Sequence, residues 1–282
     1  MDTTGHPGTR RAAVLGSPIA HSLSPVLHRA AFEAMGLADE WRYDRFEVDE
    51  AALPGFIGGL DPAVWRGLSL TMPLKRAVIP LLDEITETAA SVEAVNTVVL
   101  GPDGRRRGDN TDIPGMLAAL RERGITSAPS AAVLGAGATA SSALAALARL
   151  GTAEVTAYVR GPARAAEMRQ WGDRLGVAVR VADWADAAKA LDEPLVIATT
   201  PAGAADHLAA AVPPAPGALF DVLYDPWPTP LAAAWSRRDA PVVGGLDLLV
   251  HQAVLQIEQY TGHAPAPLAA MRAAGEAALP RG

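Results

Sequence analysis

An α/β protein with a mainly parallel sheet is predicted by three features of this sequence. Short apolar runs alternate with helical stretches, a glycine-rich turn joins one run to a helix, and one segment reads as a hairpin. At 282 residues the chain is long for one core, so two α/β parts are expected. The first runs over residues 1–111 and the second covers 112–244. Residues 12–15 read as a strand and 25–35 as a helix with Pro25 in its first turn. Residues 42–48 alternate as a strand should, and 65–70 form another. Residues 95–100 and 105–108 flank Gly101-Pro102-Asp103-Gly104, a hairpin expected at one edge of the sheet. From Asp112, a cap for a helix to residue 123, the rhythm becomes βαβ. Strand 131–134, helix 138–150, strand 155–159 and helix 163–175 follow in turn. Strands 177–181, 195–198 and 218–222 then complete a doubly wound pattern. Residues 246–260 and those beyond Pro265 read as helical and could belong to either part.

Composition removes several classes of function. A net charge of −7 gives no electrostatic reason to expect nucleic acid or an anionic membrane as partner. With no cysteine there is no disulfide, thiolate metal site or cysteine nucleophile, a composition compatible with the cytoplasm. The opening MDTTGHPGTRRAAVLG lacks the apolar core of a signal peptide. Residues 124–148 carry no charge, but Pro129, Gly135 and Gly137 interrupt them, so strand–turn–helix is expected there rather than a membrane span. The six histidines show no close metal-ligand spacing, and His21 and His28 read as structural or exposed; no metal is expected.

The turn Gly135-Ala136-Gly137-Ala138-Thr139-Ala140 fits G-x-G-x-x-[GA] between a strand and a helix. Its first glycine permits the tight turn and its second lets a pyrophosphate approach the backbone. The helix N-terminus then offers N–H donors to the anion, as in Rossmann-like dinucleotide-binding domains. NAD binding usually places a carboxylate at the end of the next strand. This chain has Arg160 and Arg164 there, which suit the 2′-phosphate of NADP.

An enzyme that moves a hydride must also move a proton. Of 24 basic residues only Lys75 and Lys189 are lysines. Arginine does not give up its proton in a protein, so Lys75, in SLTMPLKR, is a candidate acid/base. Asn96 and Asn110 sit in polar clusters near strand ends; they suit a polyhydroxylated ligand, or else turn and cap chemistry.

The ordered motifs GSPIAHSLSP, SLTMPLK, AVNT and GDNTD precede the glycine turn; DVLYDP with TPL, and GGL through Gln252, follow it. Together they resemble, over nearly the whole chain, the shikimate dehydrogenase family, whose fold implies a substrate domain over 1–111 completed by the C-terminal helices of 245–282, with a Rossmann-like domain over 112–244 between. The resemblance implies NADPH-dependent reduction of 3-dehydroshikimate to shikimate, on the route to aromatic amino acids, by a cytoplasmic monomer or homodimer. It implies that Lys75 and Asp112 are the catalytic pair and that Ser22, Ser24 and Tyr224 hold the substrate carboxylate. Thr71, Asn96 and Gln252 would hold ring hydroxyls. Gly135, Gly137, Ala138, Thr139, Arg160, Arg164 and Gly245 would contact the cofactor. Three departures stand out. Ser69 stands where many relatives have asparagine, and Ala138 replaces a common glycine. Val159 and Gly161 replace the polar neighbours of the arginine equivalent to Arg160. The rival readings are an NAD-linked quinate/shikimate dehydrogenase and a ligand-sensing module that kept the fold without catalysis.

Overall fold

The computed structural model describes residues 8–279. It divides into two compact units: unit 1 is the described chain to Thr111 together with Leu249–Ala278, and unit 2 is Asp112–Leu248.

Unit 1 contains β1 (Arg10–Gly16), α1 (Ser24–Ala34), β2 (Trp41–Glu47), α2 (Leu53–Gly58), β3 (Trp65–Leu70) and α3 (Leu74–Ala77). After these come β4 (Glu84–Ile85), α4 (Glu87–Val92), β5 (Thr97–Leu100) and β6 (Arg106–Asp109). The sheet order is β2-β1-β3-β5-β6-β4. β1 runs parallel to β2 and β3, whereas β5 is antiparallel to both β3 and β6. The hairpin is therefore present but does not end the sheet. Two-residue β4 pairs parallel with β6 and forms the edge instead, a strand too short to show periodicity.

The two faces of β3 are separated by its period of two. Leu68 and Leu70 join Leu15, Leu53, Ile57, Leu74 and Val95 in a buried apolar cluster. Gly67 and Ser69 face Tyr260, whose ring lies so close that a Cβ on Gly67 would occupy it. Helix α1 buries Leu27 and Ala31 at four-residue spacing and stops at Met35, with Gly36 at φ +71°.

Unit 2 contains α5 (Asp112–Glu122), β7 (Ser130–Leu134), α6 (Ala138–Arg149), β8 (Glu154–Val159), α7 (Pro162–Leu175) and β9 (Ala178–Asp183). It continues with a 3₁₀ segment (Trp184–Asp192), β10 (Leu195–Ala198), β11 (Ala218–Asp221), α8 (Pro230–Ser236) and β12 (Val242–Val243). Helix α9 (Gly245–Thr261) starts in this unit and crosses into unit 1, where α10 (Leu268–Ala278) packs on α1. The sheet of unit 2 is wholly parallel in the order β12-β11-β10-β7-β8-β9. From β7 the chain winds outward through β8 and β9, then returns to the other side of β7 with β10. That reversal opens a crevice at the carboxyl ends of β7 and β10, where such sheets bind ligands.

The uncharged run 124–148 is β7, its turn and α6. Among the described residues no helix is long and apolar enough to cross a membrane. Asp112 is the first residue of α5, inside the helix rather than its cap.

Candidate active site

The carboxyl ends of β1, β3 and β6 and the start of antiparallel β5 lie at one end of the unit 1 sheet. That topology gathers most of the sequence-predicted ligand contacts. Ser22 and Ser24 follow β1, Thr71 and Lys75 follow β3, and Asn96 precedes β5. The loops after β1 and β3 brace each other. Thr71 N–H donates to Leu15 O (3.0 Å), Ser17 N–H donates to Met72 O (3.0 Å), and Gly16 has no room for a Cβ beside the Thr71 methyl. The Ser22 loop is further held by Arg45, whose guanidinium donates to the carbonyls of Ala20 and Ser22. Ser22 Oγ accepts the Ser24 amide at 3.3 Å. Lys75 lies half-buried in α3, and its carbonyl accepts from Val95 N–H (2.8 Å), which ties the helix to the approach of β5.

Beneath these residues runs a buried polar network. Ser69 Oγ accepts from Tyr43 OH (2.6 Å) and donates to Gln256 Oε1 (2.8 Å). Its hydrogen being committed, the 3.1 Å contact with Tyr260 OH is the tyrosine donating. Gln256 Nε2 donates to Asn96 O (3.2 Å) and Thr97 Oγ1 (3.0 Å), and the Thr97 hydroxyl donates to Asn96 Oδ1 (2.8 Å). Asn96 Nδ2 donates to Thr111 Oγ1 (3.0 Å) and, more weakly, to Gln252 Oε1 (3.5 Å). Both ends of the Asn96 amide are thereby fixed, as a buried polar group requires. Asn110 Nδ2 donates to Ala94 O (2.9 Å), a bond between segments distant in the sequence rather than a local turn or cap.

Burial pushes the Tyr43 and Tyr260 hydroxyls upward, so both stay neutral donors. His28 is fully buried, stacked on Tyr43 at 3.8 Å, with its Nδ1–H on Ser24 O (2.8 Å). Burial pushes it down to about 3, the bond to Ser24 opposing only in part, so it is a neutral structural histidine. His21 is exposed.

Tyr43, Gln256 and Tyr260 escaped the sequence reading. A signal existed for one of them: Gln252, Gln256 and Gln259 repeat at i, i+4 and i+7, a polar stripe on one face of α9. Gln259 uses it to donate to Asp109 Oδ2 (2.7 Å).

In unit 2 the glycine turn sits at the switch point. Gly135 has φ +115°, and a Cβ there would lie 2.6 Å from Thr199 Oγ1, at the end of β10. Thr199 is itself pinned to Leu134 O through N–H and Oγ1, both at 2.9 Å. Gly137 is the N-cap of α6, makes no side-chain cap bond, and a Cβ on it would meet nothing within 4 Å. The first turn of α6 holds no acidic residue. Open space over unspent helix N–H groups suits a pyrophosphate, so these residues fit a dinucleotide. Ala138 carries no positive φ, so its replacement of glycine costs little. Thr139 is in the first turn of α6.

Arg160 follows β8 directly, exposed, its Cζ 5.1 Å from the Trp184 ring centroid. Arg164 is in α7 and paired with Glu167 at 2.8 Å. Gly245 has a packing reason for being glycine, since a Cβ would strike the backbone of Val222 and Leu223. Asp221 organises the loop that carries half-buried Tyr224. Its carboxylate accepts from Thr229 Oγ1 (2.7 Å) and Leu223 N–H (3.1 Å). Burial raises the Asp221 carboxyl, those two bonds opposing.

A parallel sheet wound outward from its glycine turn, with arginine at the end of its second strand, defines the nucleotide-binding unit of a pyridine-nucleotide-dependent oxidoreductase. Comparison with known proteins narrows the class. Residues 14–98 match the shikimate dehydrogenase substrate binding domain and 245–274 the shikimate 5'-dehydrogenase C-terminal domain. A shikimate dehydrogenase (NADP(+)) of Methylobacterium radiotolerans is 39% identical over 91% of this chain and 93% of its own. The crystal structure of Mycobacterium tuberculosis shikimate dehydrogenase is 44% identical, with a TM-score of 0.86 over 95% of this chain and 99% of that one. A Thermus thermophilus enzyme, solved in complex with NADP(H) and shikimate, is 34% identical, with a TM-score of 0.83 over 96% and 100%. The chain belongs to the shikimate dehydrogenase family.

Proposed function

We propose that this chain catalyses the reversible, NADPH-dependent reduction of 3-dehydroshikimate to shikimate, a step toward aromatic amino acids. The observation that carries the reading is the polar end of the unit 1 sheet. There a half-buried lysine shares one sheet end with Ser22, Ser24, Thr71 and Asn96, and Gln252 bonds to that Asn96. NADPH, when bound, would supply the hydride for the substrate carbonyl carbon. Lys75, as ammonium, gives its proton to the oxygen as charge develops there, which both neutralises the alkoxide and completes the alcohol. In oxidation the same amine accepts the proton. Asp112 orients the ammonium.

Ser22 and Ser24, with Tyr224, hold the carboxylate through neutral hydroxyl donors. Thr71, Asn96 and Gln252 take the ring hydroxyls. A site built to hydrogen-bond several hydroxyls discriminates strongly against an analogue lacking one, because a polar group of the site is then left unpaired. Gly135, Gly137, Ala138 and Thr139 would receive the pyrophosphate at the start of α6. Arg160, with Arg164 nearby, meets the 2′-phosphate, and Gly245 completes the cofactor set.

The initial rate of NADP⁺ reduction by shikimate tests this, with quinate and NAD⁺ as parallel arms. NADP⁺ is expected to exceed NAD⁺ by at least about tenfold in kcat/KM, the order of one lost charged contact, and quinate to be far slower. Comparable kcat/KM for the two acids would assign a quinate/shikimate dehydrogenase. No turnover with either acid would leave the ligand-sensing module.

A further inference from the structure

Val159, the last residue of β8, is paired with Asp183, the last of β9. Arg160 and Trp184 are thus the next residues on two neighbouring strand ends, and the guanidinium lies over the indole, 5.1 Å from its centroid. The groups around the pair are otherwise occupied. Asp183 accepts the Ala185 amide (2.8 Å), Asp186 holds Lys189 (2.6 Å), and Arg164 is bound to Glu167. His207 meets the indole edge-on at 6.2 Å. Among the described residues no carboxylate is paired with Arg160. Nor do its chain neighbours offer a hydrogen bond from a side chain: Val159 is buried and apolar, and Gly161 has none.

We infer that Trp184 is a positioning residue for cofactor selectivity, its indole face holding Arg160 in place for the 2′-phosphate of NADPH. The inference rests on the assignment of Arg160 made above and adds a residue that no sequence motif marks. Its physical basis is the shape of the guanidinium. A hydrogen-bonding neighbour would consume some of the five in-plane N–H donors, whereas a π face grips the cation from above and leaves all five for phosphate. The contact also limits the rotamers of an exposed arginine before the ligand arrives, so less entropy is lost on binding.

Trp184 is half-buried and packs against the apolar cluster around Ala187, Leu191 and Leu208, so a packing role must be separated from a π role. Equilibrium dissociation constants for NADPH and NADH, measured on the full chain, do this. The set is Trp184→Leu, Trp184→Phe, Arg160→Ala and the Leu/Ala double variant, with thermal midpoints recorded for each. Leucine keeps apolar packing and removes the π face; phenylalanine keeps a π face. Trp184→Leu is expected to weaken NADPH roughly two- to fivefold, leaving NADH unchanged, with Trp184→Phe nearer to the parent. In the Arg160→Ala background the leucine change should have no further effect on NADPH. Equal weakening of both cofactors, or the same loss with leucine and phenylalanine, would make Trp184 a packing residue and overturn the inference. If Arg160→Ala leaves the NADPH-to-NADH ratio unaltered, the arginine assignment falls and the inference with it. Shikimate turnover by the parent chain, measured separately, keeps the catalytic reading distinguishable from both.

Discussion

Lysine and arginine carry the same charge at position 75, but only lysine can shed its proton, and this chain uses arginine almost everywhere else. Lys75→Arg is therefore expected to lower kcat for shikimate oxidation by roughly 10²-fold or more, and Lys75→Ala at least as much. NADPH affinity and thermal midpoint should stay near the parent values. Asp112→Asn should also be slow, and the double variant should lose less than the two single losses combined. An arginine enzyme with most of its kcat would show that position 75 needs only charge. A second expectation concerns His28, whose folded-state value of about 3 lies below its ordinary 6.5. The unfolded chain binds a proton there as pH falls through 6.5, whereas the folded chain does not until about 3. Stability from the neutral ring is thus full above pH 6.5 and drains away between there and about 3, at up to roughly 1.4 kcal/mol per pH unit. Urea midpoints at pH 7, 5 and 4 should fall less steeply in His28→Gln; identical slopes would mean the native ring is protonated freely. Lys75 was legible because it is rare, and the glycine turn because its spacing is tied to backbone geometry. Tyr43 and Tyr260 were not, because their hydroxyls reach Ser69 only after distant segments pack.

At the scale of elements, β3 shows how one strand serves two purposes. Leu68 and Leu70 build the apolar cluster, while Gly67 and Ser69 receive Tyr260 and the polar network of α9. Gly67→Ala would push a methyl into the Tyr260 ring, an overpacked contact expected to cost about 1–3 kcal/mol by denaturant unfolding. Adding Tyr260→Leu should recover part of that loss; no change in Gly67→Ala would show that the ring moves aside freely. Periodicity found β3 and β10 residue for residue, and most other long elements within a residue or two, because burial on one or both faces dictates their pattern. It missed α2, α3, α4, α8 and the 3₁₀ segment Trp184–Asp192, which span too few turns for a period to register. It also misplaced the hairpin, since two-residue β4 extends the sheet beyond it. The short elements matter nonetheless: α3 carries Lys75, and the segment opening with Trp184 carries the indole under Arg160.

At the scale of the molecule, unit 1 is built from both ends of the described chain and unit 2 from its middle. The change at Asp112 was legible as a change of rhythm. The return was expected at residue 245 only from the resemblance; the division falls at Leu249, inside the uninterrupted helix α9, where no change of pattern marks it. This discontinuity bears on how the protein is made. A ribosome finishes the six strands of unit 1 long before it delivers the two helices that cover them. At roughly 5–20 residues per second, all of Asp112–Leu248 must emerge in between, on the order of ten seconds. The middle of the chain can thus mature first, while Gly67, Ser69 and the buried side of α1 wait without their partners. A nascent chain stalled with Leu248 just outside the ribosome is expected to resist protease across 112–248 and to be cut within 8–111. Equal resistance in both would mean that the first sheet closes without α9 and α10. In the expected case the first segment made is the last to become native, and during that interval its uncovered apolar face is the natural target for a chaperone.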